Sequence, residues 1–190
     1  MVSDDELVRR CKEGNPKYQA LFYQKFAPML MGICMRYARN VEDAQDLLHD
    51  SFVKIFTNIE SVREDGSLDG WVRRITVNTA INAYHKKNRI PPAIEVDDVQ
   101  EWIPDERIEM NDFLSEEMLL QFIQELPDGY RTIFNLFEID GYSHLDIAKM
   151  TGGTYSTVRS QLFKAKRALK LKIEKYLSTE MKDLINKNNK

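Results

Sequence analysis

A proline-containing acidic segment interrupts the middle of the 190-residue chain. Residues 90–111 hold three prolines and no sustained helical period, and residues 95–117 contain ten acids against Arg107 alone. Such a composition favours an extended, solvated chain over a packed element. The sequence therefore predicts two small domains, residues 1–89 and 112–190, joined by a flexible acidic linker at 90–111.

Periodicity on either side of this segment predicts an all-α fold. Hydrophobic residues make up 43% of the chain, which is enough for globular cores, and only 8 Gly occur. Runs that alternate apolar and polar residues are few, which argues against β structure. In the first domain, amphipathic helices are predicted at Tyr18–Arg39, Glu42–Ile59 and Leu68–Lys87.

Cysteine usage and the N-terminus indicate a cytosolic protein. Cys11 and Cys34 lack metal-ligand spacing and lie among apolar residues, so we expect two buried structural thiols. The N-terminus is acidic, unlike a signal peptide, and the run APMLMGICM is too short to cross a bilayer. We expect a soluble, cytoplasmic protein without membrane insertion.

A helix-turn-helix pattern occupies the second domain. Ser143 can cap a first helix, Gly152 and Gly153 allow a tight turn, and Thr154 can cap a second helix. Two stripes define these helices. The apolar members of the first helix are Leu145, Ile147, Ala148 and Met150, and those of the second are Val158, Leu162, Ala165 and Leu169.

The opposite side of the second helix carries hydroxyls, cations and one aromatic ring. Its residues are Ser156, Arg159, Ser160, Phe163, Lys164 and Arg167. Groups of this kind can contact base edges and phosphates in a major groove. An ordinary helical hairpin with solubilising cations is the alternative that these residues leave open.

The distribution of charge supports a polyanionic partner. Although the net charge is −3, residues 149–175 contain eight Lys or Arg against one acid, and residues 70–89 contain five against none. Two separate basic segments indicate two contacts with nucleic acid.

The predicted helix Glu42–Ile59 presents an acidic stripe of Asp43, Asp46 and Asp50. Asp46, His49 and Asp50 also have metal-ligand spacing, but the chain has only 3 His and no second such cluster, so neither a metal site nor catalysis is predicted. A solvated acidic face and a docking face for a basic partner remain as interpretations.

The predicted helix Leu68–Lys87 combines basic, amide and aromatic side chains. Arg74, Asn78 and His85 follow at helical spacing, with Trp71 near the start. This combination can stack an unpaired base and bind phosphates, although Trp71 can equally be a core residue.

In this order, three stretches resemble the bacterial extracytoplasmic-function sigma factors. They are LFYQKFAPMLMGICMRYARNVEDAQDLLHDSFVKIF, GSLDGWVRRITVNTAIN and LPDGYRTIFNLFEIDGYSHLDIAKMTGGTYSTVRSQLFKAKRAL. The resemblance spans most of the chain. Thr151 and Gly153 depart from it, because the family usually has apolar residues in that turn.

The resemblance implies the function and its residues. The first domain, region 2, would bind the clamp helices of the polymerase β′ subunit and capture an extruded base of the minus-10 element. The residues implied for polymerase are Asp43, Asp46, Leu47, Asp50 and Lys54. Those implied for the minus-10 element are Val62, Arg63, Trp71, Arg74, Asn78 and Lys86.

The second domain, region 4, would recognise the minus-35 element and contact the β flap. The residues implied for this DNA are Arg159, Ser160, Phe163, Lys164 and Arg167. The expected partners are therefore core RNA polymerase, promoter DNA and an anti-sigma factor, and no cofactor is predicted. A stand-alone helix-turn-helix regulator is the alternative function, but no dimerisation face or effector pocket is evident in the sequence.

The acidic linker carries no family signature. Its charge suggests the hypothesis that residues 95–117 shield the basic DNA-binding faces in the free protein through many weak, screened contacts.

Overall fold

The computed structural model describes residues 2–62, 67–87 and 114–188, with side chains described as far as residue 179. Eight α-helices and no strand occur in these ranges. The predicted all-α fold is therefore confirmed. The chain divides into two compact units, residues 1–88 and 89–190. The predicted linker lies outside the described residues.

Four helices form the first unit: α1 (Asp4–Lys12), α2 (Pro16–Tyr37), α3 (Val41–Thr57) and α4 (Leu68–Lys87), with a 3-10 turn at Ile59–Ser61. Polar side chains set the first three boundaries, because Ser3, Asn15 and Asn40 each accept a hydrogen bond from a free N–H of the first turn. Helix α1 was not predicted.

Helices α2, α3 and α4 pack against one another, and α1 packs on α2. The core between them is apolar and aromatic, and the rings of Phe22 and Phe26 lie 4.6 Å apart between centroids. Cys11 and Cys34 are buried in this unit, as predicted. Burial raises the pKa of both thiols, that of Cys34 to about 12, so both stay protonated at neutral pH.

The second unit contains α5 (Glu116–Gln124), α6 (Asp128–Phe134), a π-helical turn (Asn135–Ile139), α7 (His144–Thr151) and α8 (Tyr155–Asn188). Helices α5, α6 and α7 all pack against α8. Leu126, Ala165 and Leu169 form a buried cluster in this core. The long helix α8 is thus the element around which the second unit is built.

The buried Arg131 joins α5 to α6. Its Nη1 donates to the carbonyl oxygens of Gln124 at 2.6 Å and Leu126 at 3.0 Å, and its Nη2 contacts the Asp128 carboxylate. The side chain of Arg131 is only 4% exposed. These bonds satisfy carbonyls that the end of α5 leaves without helical partners.

Two acids assigned to the linker charge belong to α5 instead. Glu116 and Glu117 lie in its first turn, after the N-cap Ser115. A backbone N–H and then the Ser115 hydroxyl lower the pKa of Glu117 by hydrogen bonding. These two acids therefore complement the positive N-terminal end of α5.

Candidate nucleic-acid interface

Helices α7 and α8 form a helix-turn-helix, as predicted. Ser143 Oγ accepts from the backbone N–H of Asp146 at 3.2 Å, and Thr154 Oγ1 accepts from that of Thr157 at 3.1 Å. Between the helices, Gly152 has φ 70°, a left-handed conformation that favours glycine. The backbone N–H of Gly153 donates to the Ala148 carbonyl at 3.0 Å, which closes the turn.

The two unusual residues of this turn fit its geometry. Thr151 Oγ1 donates to the Ile147 carbonyl at 2.7 Å, so its hydroxyl is satisfied within α7. A Cβ on Gly153 would meet Thr151 Oγ1 at 3.6 Å, an ordinary contact. The predicted apolar stripe of α7 is wrong at Leu145, which is 60% exposed, whereas Ile147 is buried.

Helix α8 has one buried and one exposed face over its first four turns. The predicted core stripe is confirmed, because Val158, Leu162, Ala165 and Leu169 are all buried. The exposed face holds the predicted recognition residues Arg159, Phe163, Lys164 and Arg167, and Ser160 is half-buried at its side. Phe163 is 54% exposed, so this aromatic ring is available to a ligand.

Tyr155 was not predicted among the recognition residues. Its ring is 46% exposed at the first position of α8, and the Arg159 guanidinium lies 5.8 Å from the ring centroid. The four-residue spacing of the two was visible in the sequence. An aromatic residue four positions before a candidate base-contacting arginine is therefore a signal that could have revealed it.

Helix α4 exposes the predicted amide-bearing stripe. Arg74, Asn78 and Lys86 are exposed, whereas Trp71 at the edge of the stripe is half-buried. Asn82, which was not predicted, is also exposed and lies one turn beyond Asn78 on the same face. The stripe thus offers two neighbouring amides to a base edge.

The chain that precedes α4 is joined to α1. Val62 is half-buried, and its carbonyl oxygen accepts from Lys12 Nζ at 3.5 Å. Val62 and Leu68 also line an open cleft beside the first two turns of α1. Arg63, another predicted minus-10 residue, lies outside the described residues.

The acidic face of α3 is smaller than predicted. Asp46 and Asp50 are exposed, but Asp43 is half-buried and its carboxylate lies 3.5 Å from Lys87 Nζ at the end of α4. Leu47 is 7% exposed and lies in the core, so its side chain supports the helix from inside instead of contributing to the surface.

Two other side chains complete this surface. Lys54 is half-buried beside the acids, and Val53 is 52% exposed among them, seven residues after Asp46. Val53 was not predicted to lie on this surface. The surface is therefore acidic, with an exposed apolar side chain at its C-terminal end.

Within the described ranges, no three His, Cys, Asp or Glu side chains come together in a way that could hold a metal ion. No such group is formed by Asp46, His49 and Asp50, whose spacing is that of metal ligands on a helix. None of the helices described is both long and apolar enough for a membrane span.

The fold and its exposed faces define a two-unit helical protein with a helix-turn-helix in the second unit. Two family models match these units: Sigma-70 region 2 over residues 22–90 and Sigma-70, region 4 over residues 116–169. The first match runs from the second turn of α2 through α4, and the second runs from α5 to the fourth turn of α8.

Similar proteins belong to one family. The RNA polymerase sigma-H factor of Pseudomonas aeruginosa is 30% identical over 177 residues, 87% of this chain and 91% of that protein. The ECF RNA polymerase sigma-E factor of Haemophilus influenzae is 32% identical over 184 residues, 91% of this chain and 96% of that protein. The solved structure of the sigma factor RpoE in complex with the anti-sigma factor NepR from Bartonella quintana has a TM-score of 0.50 and 18% identity, and it covers 80% of this chain and 96% of that chain.

The chain belongs to the extracytoplasmic-function sigma factors, as the sequence motifs indicated. It is a sigma factor that binds core RNA polymerase and directs promoter-specific transcription initiation. Members of this family are initiation factors rather than enzymes. The stand-alone regulator considered above is accordingly disfavoured.

Proposed function

We propose that the exposed face of α8 recognises the minus-35 element in the major groove. The observation that supports this most strongly is the division of α8 into a buried apolar stripe and an exposed face with Arg159, Phe163 and Arg167. Arg159 can bind guanine O6 and N7 with two hydrogen bonds, and Phe163 can pack on a thymine methyl. Ser160, Lys164 and Arg167 supply further contacts to bases and phosphates.

The exposed stripe of α4 is proposed to capture an unpaired base of the minus-10 element. Extrusion of a base costs a few kcal/mol, which the protein must return by stacking and hydrogen bonds. Asn78 and Asn82 offer amide donors and acceptors, and Arg74 and Lys86 offer cations for phosphates. Trp71 supplies apolar surface at the start of this stripe, and Val62, in the chain before α4, is proposed to add to it.

The acidic face of α3 is proposed to bind the clamp helices of the β′ subunit. Asp46 and Asp50 provide charge for a basic partner, Lys54 lies beside them, and Val53, one turn beyond Asp50, adds apolar contact surface. Asp43 takes part once its ion pair with Lys87 exchanges for a polymerase cation. Contact of the second unit with the β flap completes the assembly with core enzyme.

An anti-sigma factor is a further proposed partner. The similar RpoE protein of Bartonella quintana is in complex with the anti-sigma factor NepR, and a protein of this kind would control when the present chain reaches polymerase. Because polymerase and chromosomal DNA are its proposed targets, the cytoplasm is the proposed location of the protein. It acts there without catalysing a reaction and without a cofactor.

In vitro transcription with core polymerase on a randomised promoter library tests the proposal. Initiation that depends on the added chain, with two enriched elements near positions −35 and −10, is the expected result. Asp46→Lys should lose polymerase binding, whereas Asp5→Lys, which makes the same charge change at an exposed residue of α1, should retain it. Sequence-specific DNA binding without polymerase-dependent initiation would favour the stand-alone regulator.

A further inference from the structure

Three aromatic rings form a row that ends at the proposed base-contacting arginine. The rings of Phe137 and His144 lie 4.3 Å apart between centroids, and those of His144 and Tyr155 lie 5.6 Å apart. The Arg159 guanidinium carbon lies 5.8 Å from the Tyr155 centroid, within the range of a cation–π interaction. The row therefore connects the π-helical turn, α7 and α8.

Each member of this row begins or lies within a different element. Phe137 belongs to the π-helical turn, His144 is the first residue of α7, and Tyr155 is the first residue of α8. A second contact joins two of these elements, because Lys166 Nζ lies 2.8 Å from a carboxylate oxygen of Glu138. Helix α8 thus contacts the preceding chain at two places, at Tyr155 in its first turn and at Lys166 about three turns further along.

Among the residues that the structure describes, the Arg159 side chain makes no hydrogen bond or ion pair. It is exposed, and ordering a free arginine side chain costs rotamer entropy. A guanidinium that already lies over a fixed ring loses less entropy when it binds. Base recognition by two parallel hydrogen bonds needs this orientation, because a small rotation of the guanidinium breaks one of them.

We propose that Tyr155, backed by His144 and Phe137, is a positioning residue that orients the Arg159 guanidinium for base recognition in the minus-35 element. This inference rests on the proposed role of α8. Tyr155 acts through its ring face, so specificity depends on the aromatic ring and not on the phenol hydroxyl. A neutral His144 ring suits this role. Burial, then Arg159 and Lys166, lower the pKa of His144 and so favour the neutral form, whereas Glu138 opposes this effect.

The test uses polymerase holoenzyme assembled with the full chain, on a promoter chosen from the library and its single-base variants across the minus-35 element. Arg159→Ala first identifies the base pair at which preference is lost. At that base pair, Tyr155→Phe should keep the preference of the wild type. Tyr155→Leu, which keeps apolar bulk but has no ring face, should reduce it roughly two- to fivefold.

The double variant Tyr155→Leu with Arg159→Ala should show no further loss at that base pair, because the tyrosine acts only through the arginine. Thermal unfolding of each variant shows whether α7 and α8 remain folded. His144→Leu is the second variant. It removes the ring behind Tyr155 without changing any residue of α8, and it should also reduce the preference at that base pair.

The outcomes separate this inference from the proposed function. If Arg159→Ala leaves preference unchanged at every base pair, the proposed role of Arg159 is wrong. If Arg159→Ala relaxes preference but Tyr155→Leu does not, only the positioning role is wrong. A Tyr155→Phe variant that loses preference at that base pair would show that the hydroxyl takes part in recognition, which also overturns the inference.

Discussion

At the residue scale, the stability of the second unit depends on one buried cation. Arg131 bonds two carbonyls and Asp128, whose side chain is only 11% exposed. Arg131→Met leaves these acceptors buried without the guanidinium, and loss of one partner from a buried pair costs about 3–5 kcal/mol. Urea unfolding should show this loss for Arg131→Met and almost none for Arg167→Ala on the exposed face of α8. Equal stability of both variants would contradict the role assigned to Arg131.

His144 makes the stability of the second unit depend on pH. Its pKa in the folded protein lies below the ordinary value of 6.5, chiefly because of burial. The unfolded chain therefore binds the proton more readily, so stability is complete above that value and falls as the pH drops through it. Arg159 and Lys166 add to this effect, and Glu138 opposes it.

The melting temperature of His144→Gln should therefore change less than that of the wild type between about pH 7.5 and about pH 5.5. His49→Gln, on the exposed face of α3, is the matched control and should keep the wild-type slope. If the melting temperature of His144→Gln depends on pH as strongly as that of the wild type, His144 is not the cause of the pH dependence.

At the scale of elements, α3 and α4 are proposed to do different work. Asn78→Ala should leave polymerase binding intact but lower initiation on duplex promoters roughly two- to tenfold, the equivalent of one hydrogen bond. Templates already open at the minus-10 element should restore part of this loss. Gln24→Ala, which removes an exposed side-chain amide from α2 instead, is the control and should have no effect. Weaker polymerase binding by Asn78→Ala would mean that α4 has the docking role.

The same two helices are linked by the Asp43–Lys87 pair. Both side chains are about half exposed, at 42% and 51%, so the pair contributes little stability and can open at low cost. Asp43 is therefore available to polymerase even though an intramolecular cation contacts it. This is why the proposed docking surface can include a residue that the isolated chain already uses.

At the scale of the whole molecule, the acidic linker is proposed to shield the DNA-binding faces. The test neutralises five linker acids to Asn or Gln and measures the affinity of the full-length free protein for promoter DNA. These acids are Asp97, Asp98, Glu101, Asp105 and Glu106. Shielding predicts tighter binding by the neutralised chain at low salt and a smaller difference at high salt.

A chain with the same linker residues in shuffled order is the control, and it should bind like the wild type because shielding depends on charge rather than on order. If neutralisation changes nothing at low salt, the linker serves only as a solubilising tether. Glu116 and Glu117 are left unchanged in both variants, because they lie in the first turn of α5.

The sequence by itself determined α2, α3 and α4, the two helices of the helix-turn-helix, and most of their buried and exposed faces. The bounds Leu68–Lys87 were predicted without error, and the stripes of α8 and the caps Ser143 and Thr154 were predicted correctly. These features depend on residues three or four positions apart, and a helix places such residues on one face whatever surrounds it. Local spacing therefore carries the whole of this information.

Only the tertiary structure decided which of these faces meet. Lys12 contacts Val62 across 50 positions, and Lys87 contacts Asp43 across 44. The angle and distance between packed helices set such pairs, and no periodicity records them. The same reason explains why Leu145 is exposed and why the ring of His144 lies beside that of Tyr155. The sequence thus shows which side chains each helix can offer, whereas packing decides which of them are left free to bind.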